Sequence, residues 1–306
     1  MNFSKPPIHS ILVPDNYLGL RAPPKLGKTP FRPDEFAGET VLITGGGTGL
    51  GKAIALEFGR IGAKVAIASR SDEHVQAGIK FLSEYGVECW GFTLDVRDPA
   101  SIEACFSQVA SQIGFPTILI NNAAGNFPVA AEELSPNGFK TVVDIVLNGS
   151  FNCSRHLARH HIENATRAAI VNIGASYAWT GGPGFVHSAS AKAGVKTMTE
   201  TLAVEWAPLG IRVNGLVPGL FPHDDESAQI RTVPGRHEND SARCPALRVG
   251  EPRELGWACA FLCSKYASYI TGHTMVVDGA NWQRRFLTQP EFQSVRDQLG
   301  LDPQLH

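Results

Sequence analysis

Five of the eight residues from Thr44 to Gly51 are glycine, and they join a short apolar run, Thr40 to Thr44, to a helical pattern from Gly49 to Arg60. A chain that passes from strand to helix in so few residues needs backbone that accepts positive φ and close approach, which glycine provides. The helix that follows presents its first N–H groups without partners. The segment therefore reads as a strand–turn–helix unit, the opening of a parallel sheet.

The rest of the chain repeats that rhythm. Apolar runs at Lys64 to Ala68, Cys89 to Leu94, Thr117 to Ile120, Ala169 to Ile173, Ile211 to Leu216 and Met275 to Val277 have strand length. Between them lie helical patterns at Asp72 to Tyr85, after Asp98, and at about 137–163, 188–206 and 251–264; Asp98 is a natural N-cap with Pro99 at the first helical position. Seven strands alternating with helices predict an α/β fold, a Rossmann-type doubly wound seven-stranded parallel sheet with helices on both faces.

At 306 residues and 43% apolar content the chain can bury one large core, so a single domain over 37–280 is expected. Before it, residues 1–36 hold seven prolines, which suits an arm lying extended on the body or disordered. After it comes a tail, 281–306, with a weak helical pattern. Within the domain, 220–250 breaks the rhythm with Pro222, Gly235 and Pro245, and a long excursion after a strand's carboxyl end is where a substrate lid would sit.

The charge balance, 27 basic against 29 acidic residues, provides no broad positive field for nucleic acid or anionic lipid. No apolar run reaches membrane-spanning length, and the first thirty residues lack a secretion-signal pattern. The six cysteines form no CxxC pair; Cys259 and Cys263, four apart on a helix, read as core thiols, and a reducing, cytoplasmic setting fits. No metal site is expected.

Glycines after a first strand let backbone approach a pyrophosphate, which the helix N-terminus attracts. About twenty residues on, where a carboxylate would bind the ribose 2′-hydroxyl of NAD, the chain has Ser69-Arg70. A guanidinium fork with a neighbouring hydroxyl suits a 2′-phosphate instead, so the expected cofactor is NADPH.

With these residues on view, the chain resembles the short-chain dehydrogenase/reductase superfamily over about 38–280. Four motifs match in order: Thr44 to Gly51 (including Gly45, Gly47, Thr48, Gly49 and Leu50), Asp95-Val96, Asn121-Asn122-Ala123-Ala124-Gly125, and Pro218-Gly219. The resemblance implies that Asp95 meets the adenine, that Asn122 to Gly125 lie along the cofactor, and that Pro218-Gly219 flanks the nicotinamide.

That family's usual catalytic set is an Asn, a Ser, and a Tyr four residues before a Lys. Here the Lys is Lys192 and the Asn is read as Asn148, but Ser188 stands at the Tyr position and Ala175 at the Ser position. A serine hydroxyl is far less acidic than a phenol of pKa about 10, so ordinary carbonyl reduction lacks its proton donor. Two readings remain: a non-catalytic NADPH-binding or scaffold protein, or a reductase whose substrate needs no proton at that oxygen.

Tyr177, fifteen residues before Lys192 and just past a strand's carboxyl end, favours the second. Ala123 to Phe127, Asp144 to Gly149 and Ser188 to Gly194 resemble the 2,4-dienoyl-CoA reductases of this superfamily, particularly the mitochondrial type. The resemblance implies hydride addition to the distal carbon of a dienoyl thioester, with Tyr177 and Asn148 donating to the thioester oxygen. Lys192 would then hold the nicotinamide ribose, with Ser188 supporting it. The Gly174-Ala175-Ser176 stretch and Leu220, Phe221 and Pro222 depart from that pattern, and trans-2-enoyl-CoA or carbonyl reduction stays open. An acyl-CoA partner would need cationic anchors, for which Arg231, Arg236 and Arg243 are candidates. A homotetramer through the helices at 137–163 and 188–206 is also implied.

Overall fold

The computed structural model describes residues 17–223, 240–283, 295 and 299–301. Seven parallel strands, β1 (Thr40–Thr44), β2 (Lys64–Ser69), β3 (Cys89–Thr93), β4 (Ile118–Asn121), β5 (Ala168–Ile173), β6 (Ile211–Pro218) and β7 (Thr274–Val277), form one sheet in the order β3-β2-β1-β4-β5-β6-β7. The chain builds outward from β1 to one edge, then returns to β4 and builds to the other. The crevice between β1 and β4 is therefore the topological switch point, where doubly wound sheets bind their ligands.

Alternate strand residues enter two separate cores, as period-2 geometry requires. Leu42 packs with Phe106 of α3 (Pro99–Ile113), Leu157 of α5 (Gly149–Glu163) and Val195 of α7 (Val186–Trp206). Val41 and Ile43 face the other way, onto Ile54 of α1 (Gly49–Arg60), Leu82 of α2 (Asp72–Glu84) and Leu255 of α9 (Pro252–Cys263). Helices thus cover both faces of the sheet.

Local chemistry sets the helix starts. Ser71 accepts from the His74 N–H at the head of α2, Asp98 from Ala100 at the head of α3, and α9 opens with Glu251 and Glu254 in a reciprocal capping box. The pattern at 137–163 is not one regular helix. It is α4 (Pro136–Val143), a π-helical turn Asp144–Asn148, and α5. Likewise the stretch after β5 is not plain loop but carries a single helical turn, α6 (Tyr177–Thr180).

The described part of the N-terminal arm lies along the body: Leu20 N–H donates to Ala246 O at 2.8 Å, and Phe36 is buried in the α1-side core. Within the excursion at 220–250, Asp240–Arg243 forms a short helix, α8, while Arg231 and Arg236 lie outside the described residues, as does the side chain of Arg243. All six cysteines are free thiols, five of them buried. No helix among the described residues is long and apolar enough to cross a membrane, and none of their His, Cys, Asp and Glu side chains gather as a metal site.

Candidate active site

The glycine turn is drawn tight onto its surroundings. Gly45 and Gly49 have φ of +64° and +51°. A Cβ on Gly51 would stand 2.4 Å from the Gly45 carbonyl oxygen, and one on Gly47 would stand 2.1 Å from the His74 carbonyl oxygen. Neither backbone neighbour can yield, so only glycine fits this cradle. Helix α1 starts from Thr48 with no side-chain cap and no acidic residue in its first turn, so its positive dipole end favours an anion.

Across the switch point, the segment after β4 is stitched to that turn. Asn122 Nδ2 donates to Thr44 O at 3.1 Å and Gly45 O at 3.0 Å, and the Asn122 and Ala123 N–H groups both donate to Thr44 Oγ1. Behind it, Asn121 Nδ2 donates to Ser154 Oγ and Asn172 Oδ1, each at 2.8 Å, and Asn172 passes the chain on to Thr199 Oγ1. This buried relay ties β4, β5, α5 and α7 together. Sequence reasoning singled out Asn121 but not Asn172 or Thr199, whose roles depend on a register only the folded sheet reveals.

At the end of β2, Ser69 Oγ accepts from Ser71 N–H, which leaves its hydroxyl proton to donate elsewhere. Arg70 is exposed and makes no ion pair among the described residues. Asp95 is not free: Arg97 grips its carboxylate, with Nη2 2.6 Å from Oδ2. That hydrogen bond holds Asp95 below the usual carboxylate range, and the Arg70 charge adds a smaller pull. Gly219, after β6, has Asp278 so near that a Cβ would lie 2.4 Å from the Asp278 Cβ. These glycines, the uncapped helix and the free arginine fit a dinucleotide; Thr44 to Gly51 would hold its pyrophosphate, Arg70 and Ser69 its adenosine end.

Tyr177 and Ser188 meet, Oη to Oγ at 2.9 Å. Burial raises the Tyr177 phenol pKa, the Ser188 bond opposing it. Lys192, one turn beyond Ser188, is buried with Nζ donating to Ile173 O at 2.5 Å, and burial pushes its pKa down to about 8. Three of the four expected catalytic residues therefore share one corner, at the carboxyl end of β5.

Asn148 is not brought into that corner. The π turn sinks Val146 into the core and lays Leu147 against Gly194 of α7, so Asn148 is left exposed. Its amide is taken by Asp144 Oδ1 at 2.9 Å, and Lys140 pairs with the other oxygen of that carboxylate. A better-placed amide is Asn126, five residues past β4. Its Oδ1 is buried with no hydrogen-bond partner among the described residues. Its neighbour Phe127 packs on His187, with ring centroids 4.6 Å apart, and Val129 N–H donates to Gly184 O, so this loop lies against the start of α7 beside Ser188. The sequence signal for it was its place directly after Gly125, at a strand's carboxyl end.

A cavity of about 760 Å³ lies elsewhere, at the amino edge of the strands among Glu35, Glu39, Arg167, Arg212 and Tyr269. It contains none of the residues gathered above.

Comparison with known proteins identifies the family. The family model described as enoyl-(acyl carrier protein) reductase matches residues 45–280. A probable 2,4-dienoyl-CoA reductase, (2E)-enoyl-CoA-producing, from Bacillus subtilis is 40% identical over 253 residues, covering 80% of this chain and 96% of that protein. A peroxisomal 2,4-dienoyl-CoA reductase, (3E)-enoyl-CoA-producing, from Arabidopsis thaliana is 36% identical, covering 83% and 88%. Among solved structures, a short chain dehydrogenase from Bacillus anthracis superposes with a TM-score of 0.72 at 38% identity, covering 81% of this chain and 98% of that one.

Proposed function

The chain belongs to the short-chain dehydrogenase/reductase family and is an oxidoreductase with a nicotinamide cofactor, and from that premise we propose that it reduces 2,4-dienoyl-CoA thioesters with NADPH. The observation that carries this reading is the Tyr177–Ser188 pair. The phenol stands not on α7, four residues before Lys192, but on the separate turn α6, with its pKa raised by burial. A phenol kept protonated is a hydrogen-bond donor, suited to stabilising charge on an oxygen remote from the reacting carbon.

When bound, the reduced nicotinamide would supply hydride to the distal carbon of the conjugated system, negative charge would move to the thioester oxygen, and a proton from water would add at carbon to complete the reduction. Tyr177 donates to that oxygen. Asn126, on the loop that lies against the start of α7 beside Ser188, provides the second donor through its Nδ2 in place of Asn148, whose amide Asp144 takes. Ser188 fixes the phenol's position, and Lys192, anchored on the end of β5, binds the nicotinamide ribose. Arg70 and Ser69 take the 2′-phosphate, which selects NADPH over NADH. Free thiols throughout suit a reducing compartment, the cytoplasm or the peroxisome that some relatives' names specify. We place a homotetramer on the outer faces of α5 and α7, where Phe151, Ile162 and Val204 are exposed.

Removing a donor that acts on developing charge costs about 2 to 4 kcal/mol of transition-state stabilisation. Tyr177→Phe should therefore lower kcat on 2,4-dienoyl-CoA by on the order of 10², with NADPH affinity unchanged. A variant as active as the parent would remove Tyr177 from the mechanism.

A further inference from the structure

The chain beyond β7 is folded back onto the corner that carries Tyr177. Asp278 drives the turn: its carboxylate accepts from the Ala280 N–H at 2.9 Å and the Trp282 N–H at 2.8 Å. Gly279 and Ala280 both have positive φ, +60° and +67°, a strained conformation for alanine that these bonds hold in place. The turn delivers Trp282 onto Trp179, with ring centroids 5.2 Å apart and planes 23° from parallel. Trp179 is two residues past Tyr177 on the same helical turn. Further along, Val295 Cγ1 lies 3.6 Å from where a Cβ on Gly184 would stand, between Tyr177 and Ser188 in sequence. Two separate points of the tail therefore touch the stretch that presents the Tyr177–Ser188 pair.

Packing alone does not account for Trp282. Its indole Nε1 is buried with no acceptor among the described residues. A tryptophan with a structural role satisfies that donor, as Trp257 does on Glu57 Oε2 at 2.7 Å. Trp282 instead lines a cavity of about 340 Å³ with Leu20, Phe221, Arg248, Glu254 and Asp278; Tyr177, Ser188 and Lys192 do not line it, so the Trp282 ring links that volume to the Trp179 turn that carries Tyr177. An unpaired donor beside an aromatic plate and an open volume is the arrangement of a ligand wall.

We propose that Trp282 is a specificity-determining residue of this active site. Its ring, backed by Trp179, forms the wall along which the apolar acyl chain lies, and its indole N–H donates to a carbonyl oxygen of the same substrate other than the reacting thioester's. The inference rests on the thioester reading above.

The test uses the full-length protein with Trp282→Phe, which keeps a ring and loses the N–H, and Trp282→Ala, which loses both. Steady-state kcat and KM are measured for NADPH and for short, medium and long 2,4-dienoyl-CoAs. Loss of one hydrogen bond should raise the thioester KM in Trp282→Phe by about fivefold at every length. Trp282→Ala should add a penalty that grows with chain length, to roughly tenfold or more for the longest. The NADPH KM and kcat should stay within about twofold of the parent, since the wall binds ground and transition states alike. Thioester KM values that match the parent's in Trp282→Phe would overturn the role, as would NADPH and thioester KM values rising together. Should Trp282→Ala fail to fold, the Trp282→Phe arm decides alone. A parent protein inert to every thioester would sink the thioester reading itself, a result separable from variants that match an active parent.

Discussion

Lys192 shows how burial sets a working pH range. Desolvation depresses its amine from an ordinary 10.5 to about 8, so the ammonium proposed to bind the ribose is present below that pH and lost above it. Turnover at subsaturating NADPH should fall as pH rises through about 8, and an NADPH-binding profile flat to pH 10 would contradict the role given to Lys192. The linked stability runs the other way. Between about 8 and 10.5 the unfolded chain binds the proton that the folded chain has released, so this residue's contribution to stability grows with pH across that window. Arg70 poses a separate question. Exposed and unpaired among the described residues, it contributes to binding only through the cofactor, so Arg70→Ala should weaken NADPH by on the order of tenfold or more and leave NADH nearly unaffected. Equal losses for both cofactors, measured by fluorescence titration, would reject the 2′-phosphate contact.

At the level of elements, the π turn Asp144–Asn148 decides which amide can serve the chemistry. One wider turn re-aims the residues that follow it, and here it directs Leu147 to α7 and Asn148 to solvent. Asn126→Ala should lower kcat by on the order of 10², whereas Asn148→Ala should change it by less than about threefold. Steady-state kinetics on the same thioester compares them, and the reverse ranking would restore Asn148. This is where the sequence was least legible. Tyr177, Ser188 and Lys192 fall at spacings that a helix and its preceding turn convert directly into proximity. A 3.6-residue period run from 137 to 163 cannot show an inserted residue, so it misdirects every side chain past that point. Asn172 and Trp282 were illegible for a different reason, since each acts through a partner distant in sequence.

For the whole molecule, the pattern was read more fully. Strand-length apolar runs separated by capped helices specify a seven-stranded parallel sheet with helices on both faces; the order β3-β2-β1-β4-β5-β6-β7, which sets β1 beside β4 at the switch point, comes from the folded sheet. The excursion after β6 resisted the same treatment because its residues have neither period. Its described end is held by the Arg248–Glu254 ion pair, with two contacts at 2.8 Å, and by the N-terminal arm. The apolar residues exposed on α5 and α7 are explained if four copies assemble through those helices. Sedimentation equilibrium should give a tetramer, and a monomer at micromolar concentration would remove that explanation. The reaction itself is read by following NADPH oxidation at saturating cofactor, with a 2,4-dienoyl-CoA, a 2-enoyl-CoA and a simple ketone supplied in parallel. Turnover of the dienoyl thioester well above the other two is the expected result if the proposed donors address an oxygen remote from the reduced carbon. Turnover of the ketone alone would contradict it and require a proton donor where Ser188 stands.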